Sequence, residues 1–526
     1  MRKTVLISIE VSSVVAVLLL SLHFHAERIH HRLIPSGDEG SWMAVASRFA
    51  AGEGFTTRWL EHPFLQPYQL PRPDDYRFPA LTLLLAGAFK LFGTRYPVAL
   101  WTVTLQFLFY TLAVYLVVRK QFGRSVALAT ILLASLSLLQ LMYSTAVYTE
   151  ALFGIGVACV IMTSGYFTPD KRSRWITVGV LTGFLYLIRP NGILFITGIP
   201  AAFFRYRRRY RLPFSSLLIS IGTFSAVTAP WLLRNLLIFG NPFHVAGNAG
   251  LLRTTAQEPL TLSFTEFLVR HGILHFPAAT IKGIAGFIMT LHLQEHGLEL
   301  IPLLFFAVGI CRRRRFFNVF VATAFTLSFL ACAYVSNGSW AGVRYFSSFL
   351  PFVYAFGIAE LFRFITGLVR NISRFVNIAP RRIPPIQRGT TLFLALLLAV
   401  PVYYPHKYYE RTLSRPPVIA NGYRSYRDDL TSLLSENRFY YAASLAQLNF
   451  STGFNCIGMQ DFFDEKEIIR AQRHFNPSLM VLQPAEYRKQ RFHTLLAALE
   501  ANGFIYRIVK ETEFAVFLRL SANTRS

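Results

Sequence analysis

Long apolar blocks, most of them fenced by clusters of arginine and lysine, constrain this chain more than any other feature. Val5–Leu22 is the first such block, with Arg2-Lys3 ahead of it. A helix needs roughly 20 predominantly apolar residues to cross the hydrocarbon core of a bilayer. The apolar residues come in blocks and not at the 3.6- or 2-residue period of a half-buried soluble element. The chain is 53% hydrophobic with mean hydropathy +0.40, which fits a polytopic α-helical membrane protein. By length, about eleven segments qualify as spans: 5–22, 98–118, 125–143, 150–167, 175–188, 192–204, 214–231, 297–311, 316–334, 346–366 and 391–405. The pair 175–188 and 192–204 is short, and Pro190-Asn191-Gly192 breaks it in the middle, so a bent or re-entrant pair is expected.

The net charge of +26 would suit nucleic acid, but the positions of the charges argue against it. Basic clusters fall at Arg119-Lys120 with Arg124, at Lys171-Arg172 with Arg174, from Arg205 to Arg211, from Arg312 to Arg315, and from Arg370 to Arg388. Each lies between apolar segments, as cytoplasmic loops of a membrane protein do. A nucleic-acid partner would call for a basic face on a folded domain. With these clusters inside, an odd number of spans puts the N-terminus in the cytoplasm and the C-terminus outside, in a plasma or inner membrane. The external pieces are then 23–97, the turn 144–149, 232–296, the turn 336–344 and the tail from Pro405. Leu22-His23-Phe24-His25-Ala26 is a poor cleavage site, so the first block reads as a retained anchor. Glu10 within it is expected to face other helices, since a carboxylate facing lipid is costly.

The first external loop carries structure. Ser36-Gly37-Asp38-Glu39 fits a capping box, with Ser36 as N-cap and Glu39 reaching back to it. Trp42, Ala46, Phe49 and Ala50 share one face of the helix that follows. A turn-rich stretch from Pro63 to Pro73 leads to Asp74-Asp75-Tyr76-Arg77, and Phe78–Phe92 reads as an interfacial helix. The chain therefore divides into a transmembrane catalytic domain, 1–405, and an extracytoplasmic α/β domain, 406–526. In the tail, helices are expected at 426–437, 464–475 and 486–501, with strands at 439–443, 478–482, 504–509 and 514–520. No Gly-rich phosphate loop occurs there. Cys456 is alone in the tail, so no disulfide is expected within it.

Ionisable residues at the outer surface are the candidates for chemistry. If Ser36 and Glu39 cap the helix, Asp38 is left to take a proton from a hydroxyl or to orient it; compensation of the helix dipole is its structural alternative. Glu39 is a second candidate acid. Arg77, where the loop re-enters the interface, is suited to a phosphate, which a guanidinium grips bidentately. Glu150 opens a predicted span just after Tyr148-Thr149, and Arg344 faces the same side, as a phosphate ligand or as an ion-pair partner for one of the acids. His292 and His296 have metal-ligand spacing around Glu295 but no third ligand in reach. A divalent metal stays open as a cofactor.

These residues resemble the GT-C superfamily of polytopic glycosyltransferases, in the branch of bacterial aminoarabinose transferases and protein O-mannosyltransferase-like enzymes. The resemblance runs from about residue 1 to Pro405. It begins with Asp38-Glu39 and Arg77-Phe78-Pro79-Ala80-Leu81, then Phe92-Gly93 and Arg119-Lys120-Gln121-Phe122-Gly123. It continues through Tyr148-Thr149-Glu150-Ala151-Leu152 and Leu187-Ile188-Arg189-Pro190-Asn191-Gly192. Ala229-Pro230-Trp231, Arg234-Asn235, Phe239-Gly240-Asn241-Pro242 and Arg344-Tyr345 complete it. The resemblance implies a sugar donor carried on a polyprenyl or dolichyl phosphate and transfer to a lipid, glycan or protein acceptor on the non-cytoplasmic face. It carries the family's first-loop acid onto Asp38, its phosphate-binding cation onto Arg77 and its second-loop acid onto Glu150. The family often has two prolines after the cation, and Phe78-Pro79 stands there in this chain. A transporter or flippase would want ionisable residues at mid-membrane and an internal repeat. Arg189-Pro190-Asn191 alone fits that pattern, and a non-catalytic scaffold of a glycan assembly complex is the third reading.

Overall fold

The computed structural model describes residues 2–31, 35, 37–60, 67–165, 171–244, 264–294, 305–306, 319–336, 344–375, 428–434, 439–442, 454–459, 465–482, 487–488, 490–512 and 515–522. Two compact units emerge. One comprises 1–31, 100–232 and 268–414; the other comprises 32–99, 233–267 and 415–526.

Helices build the first unit. They are α1 (Arg2–His31), most of α4 (Tyr96–Phe122), α5 (Arg124–Leu136), α6 (Leu138–Ser144), α7 (Glu150–Gly165), α8 (Arg172–Ile188), α9 (Gly198–Tyr210), most of α10 (Phe214–Phe239), α12 (His275–Gln294), α13 (Val319–Ser336) and α14 (Leu350–Phe375). Among the described residues, four helical stretches are long and apolar enough to cross a membrane: Ile7–His30, Tyr96–Phe122, Phe214–Phe239 and Arg344–Leu368. The expected span 391–405 lies outside the described residues, as does nearly all of 297–311.

Two expected spans are not single α-helices. The segment 125–143 divides at Ser137, whose extended backbone ends α5 and whose hydroxyl accepts from Gln140 N, capping α6. The pair broken at Pro190 folds as α8, then a 3₁₀ stretch (Pro190–Thr197), then α9. Gly192 makes that turn: a Cβ there would lie 2.2 Å from the carbonyl oxygen of Leu185. Helix α8 also approaches α10 through Gly179 and Gly183, where added Cβ atoms would strike Ser220, Thr223 and Val227. Small residues at four-residue spacing let backbones come this close in membrane helices. Glu10 does face other helices. It ion-pairs with Arg119 and with Arg124 (2.8 Å), and accepts from Tyr115.

The second unit holds a six-stranded sheet in the order β2-β5-β4-β6-β8-β7. Its strands are β2 (Trp59–Leu60), β4 (Phe439–Ala442), β5 (Asn455–Gly458), β6 (Leu479–Leu482), β7 (Phe504–Glu511) and β8 (Val516–Ala522). The first four run parallel, and β8 and β7 add antiparallel. Alternate residues bury on opposite faces. Met480 and Leu482 join a core with α15 (Glu465–Phe475) and α16 (Gln490–Ala501), while Leu479 and Val481 pack with Leu430, Leu434 and Phe517. Strands β4, β6, β7 and β8 and helices α15 and α16 lie within a few residues of their predicted places. Strand β5 was not expected, nor was β2, which the loop 23–97 contributes to the tail's sheet. Cys456 is buried in β5, and burial pushes its thiol up.

Candidate active site

In the second unit, α2 (Gly37–Ala50) and α3 (Pro79–Phe92) pack together and frame the first loop. Helix α3 starts where expected because Pro79 sits at its first position, where a missing N–H costs nothing. Leu81, Leu85 and Phe89, four residues apart, turn its buried face inward. Glycines at positive φ, Gly52 and Gly54, follow α2. On the face shared by Trp42, Ala46, Phe49 and Ala50, Trp42 and Ala46 are buried, while Phe49 is exposed and meets Phe55 edge-on.

Asp38 and Arg77, 39 positions apart, meet here. Nη2 of Arg77 lies 3.2 Å from Oδ1 of Asp38, with the acid side chain 37% exposed and the arginine 8%. The guanidinium also sits over Trp42 and Tyr76, 5.3 and 5.0 Å from the ring centroids. Glu39 is fully buried, and Tyr96 donates its hydroxyl to both carboxylate oxygens at 3.2 Å. Ser36, the expected N-cap, lies outside the described residues.

The residues between β3 (Arg72–Pro73) and Arg77 carry a second layer that sequence reasoning did not assign. Arg72 grips Asp75 bidentately at 2.8 and 3.1 Å. His244 Nε2 lies 2.8 Å from the same carboxylate. Asp74 accepts from the backbone N–H of Arg77 at 2.8 Å, fixing where the arginine starts. Burial, then the neighbouring charge of Asp75, pushes the Asp74 carboxyl up to about 6. Burial would raise Asp75 too, but His244 and Arg72 more than offset it and hold that carboxyl below the ordinary carboxylate range. Arg234 donates to the carbonyls of Asp74 (2.7 Å) and Phe55 (3.3 Å). Gly240 ends α10 at φ +72, and Asn241 accepts from Phe243 N, a turn that brings His244 back over Phe239. The adjacent acids Asp74-Asp75, two and three residues before Arg77, were the legible signal. His244 left none.

In the first unit, Glu150 opens α7 and is 4% exposed. It does not stand alone. Arg344 donates from Nε at 2.8 Å, and Arg189 forms a second ion pair with the same oxygen, Oε1. Thr149 accepts from Arg189 Nε, and Tyr148 stacks on the Arg344 guanidinium at 3.7 Å. Arg344 thus takes the ion-pair alternative that the sequence held open. Arg189, a lone cation after an apolar run, is the partner that was missed. The side chain of His292 and all of Glu295 and His296 lie outside the described residues. Among the described residues no three metal-ligand side chains gather.

Residues 72–233 match the family model described as dolichyl-phosphate-mannose-protein mannosyltransferase. No curated protein sequence matches the chain. Its fold is similar to that of ArnT from Cupriavidus metallidurans bound to undecaprenyl phosphate, at 14% identity and a TM-score of 0.55, covering 99% of each chain. It is also similar to the oligosaccharyltransferase AglB from Archaeoglobus fulgidus, in complex with an inhibitory peptide and a dolichol-phosphate. That match has 13% identity and a TM-score of 0.55, and covers 98% of this chain and 74% of AglB. The chain thus shares its fold with these two membrane proteins, and the mannosyltransferase family match covers the segment that carries Arg77, Glu150 and Arg189.

Proposed function

We propose that the chain transfers a sugar from a polyprenyl- or dolichyl-phosphate carrier to an acceptor on the non-cytoplasmic face of its membrane. One observation carries the reading: a half-buried carboxylate, Asp38, paired to a guanidinium, Arg77, in the first external loop. Transfer breaks the bond between the sugar's anomeric carbon and the phosphate oxygen and forms one to an acceptor oxygen. Charge then grows on the departing lipid phosphate, and Arg77 supplies charge-assisted hydrogen bonds to it. Asp38 holds the acceptor hydroxyl in line and takes its proton. Glu39, held by Tyr96, is a further candidate acid of this unit, and Glu150, held by two arginines, is a candidate acid of the first unit. Arg344 serves to hold Glu150.

The topology that suits this chemistry has the N-terminus in the cytoplasm, the tail domain outside, and the donor already across the membrane. The match to a family described by a dolichyl-phosphate-linked mannose, and a solved neighbour bound to undecaprenyl phosphate, support that donor class. Neither the described helices nor the family match favours a flippase or a scaffold.

The test is Asp38→Asn, which keeps size and hydrogen bonding but removes the base. Turnover of an undecaprenyl-phosphate sugar in detergent should fall roughly 10²- to 10⁴-fold with little change in melting temperature. Near-normal turnover would remove Asp38 from the chemistry. Arg77→Ala should weaken donor use, and Arg77→Lys should restore it only partly, because lysine lacks the planar fork.

A further inference from the structure

The two oxygens of Glu150 are treated unequally. Oε1 accepts from Arg344 and faces Nη2 of Arg189 in an ion pair without hydrogen-bond alignment, whereas Oε2 is buried with no hydrogen-bond partner among the described residues. Arg189 is divided in the same way. Its Nε donates to Thr149 and its Nη2 faces Glu150, while Nη1 is buried with no hydrogen-bond partner among the described residues. Both residues are 4% exposed. Buried polar atoms in native structures are almost always satisfied, and leaving one unmet is costly. Here an unmet acceptor and an unmet donor sit on two side chains already joined to each other.

That pairing selects a ligand chemistry. A phosphate would satisfy Nη1 but repel Oε2, and an apolar group would satisfy neither. A hydroxyl both donates and accepts, so two neighbouring hydroxyls on a sugar ring answer both atoms together. The surroundings suit a ring as well. Tyr345 and Phe153 lie 5.4 and 5.6 Å from the Arg189 guanidinium, and Tyr148, Arg344 and Tyr345 are half-buried. Aromatic walls with a few fixed polar groups are the usual lining of a small-molecule site.

We propose that Glu150 and Arg189 form a sugar-hydroxyl subsite, with Glu150 Oε2 accepting from one ring hydroxyl and Arg189 Nη1 donating to its neighbour. The ring belongs to the transferred sugar or to a glycan acceptor, and the proposal rests on the lipid-linked donor reading above. No bond is made or broken at this subsite. It selects the sugar and orients it, so Glu150 works through recognition and not as the base.

The experiment uses the purified full-length protein and undecaprenyl-phosphate-linked mannose, glucose and galactose. Singly deoxygenated forms of the sugar that turns over, and of a glycoside acceptor, are then compared. For wild type, loss of one of two neighbouring hydroxyls should cost roughly 10- to 100-fold in kcat/KM, with the others near neutral. Glu150→Gln and Arg189→Lys should lower activity on the complete sugar yet shrink that penalty to about threefold or less. Discrimination among donors identifies the ring as the transferred sugar, and discrimination among acceptors identifies it as the acceptor's; either result carries the proposal. A wild-type enzyme indifferent to every ring hydroxyl, as it would be if a buried water alone completed the pair, overturns it. So does a deoxy penalty unchanged in both variants. The wild-type series needs no variant to fold, and melting temperatures check the variants. Efficient use of a nucleotide-linked sugar with no lipid carrier would overturn the donor reading instead.

Discussion

Asp38 and Glu150 are both acids beside arginine, and their surroundings separate their chemistry. Asp38 pairs with Arg77 and keeps 37% of its side chain exposed, which leaves it open to an incoming hydroxyl. Glu150 shares one oxygen between two guanidiniums and is almost wholly buried. Asp74 has the opposite problem. Its carboxyl titrates near 6 in the fold, against an ordinary 3.8, because burial and Asp75 disfavour its charge. A raised carboxyl pKa means the folded protein binds more protons than the unfolded chain between those two values. The stabilisation is full below the ordinary value and is lost as pH rises through about 6. Asp74→Asn abolishes this titration, so its melting temperature relative to wild type should climb as pH is raised from 4 to 7. A difference that stays constant over that window would show that Asp74 does not titrate there. Asp75, held low by His244 and Arg72, behaves in reverse, so the comparison must be made against wild type at each pH.

Helix packing in the first unit depends on a few positions with no side chain. At Gly192 the first atom of any side chain would collide with backbone, the carbonyl of Leu185, and backbone cannot rotate away. Gly192→Ala should therefore destabilise the protein by roughly 1–3 kcal/mol, the usual cost of overpacking. Thermal melting in detergent would read this directly. Gly222 is the control, because a Cβ there meets nothing within 4 Å on helix α10. Gly222→Ala should be neutral or stabilising by up to about 1 kcal/mol, since alanine favours a helix. Equal effects at the two positions would mean that steric contact is not what Gly192 avoids. The division of 125–143 at Ser137 belongs with these features. A serine hydroxyl that caps the next helix offers the backbone an alternative to continuing the first one.

The proposed orientation rests on where the arginines and lysines fall, and labelling can test it. Exposed cysteines introduced at Gln69 and Ser521 should react with an impermeant thiol reagent from outside intact cells, and one at Ser173 should not. Equal labelling of all three would overturn the orientation. Native Cys456 cannot serve as the reporter, because it lies inside the tail's sheet and its thiol resists ionisation. Strand β2 bears on the same picture. Trp59 and Leu60 of the loop 23–97 pair with Cys456 and Ile457 of the tail, so loop and tail fold as one unit and must occupy the same side of the membrane.

The local sequence determined the helices, their charged ends and most of the tail's strands. Apolar length, Pro79, the break at Pro190 and the alternating burial of β6 act over a few residues and are visible without a fold. It also marked Asp38, Arg77 and Glu150 as places for chemistry, because a charge beside a membrane span needs a reason. Pairing was decided elsewhere. Nothing in the spacing says that Arg77 meets Asp38, that His244 returns to Asp75 across 169 positions, or that Arg189 and Arg344 converge on one oxygen of Glu150. Strand β2, two residues long, has too little sequence to show a period and exists because β5 offers it an edge. Contacts between distant segments depend on tertiary packing, which also decides how far each carboxylate is buried and which arginines it meets.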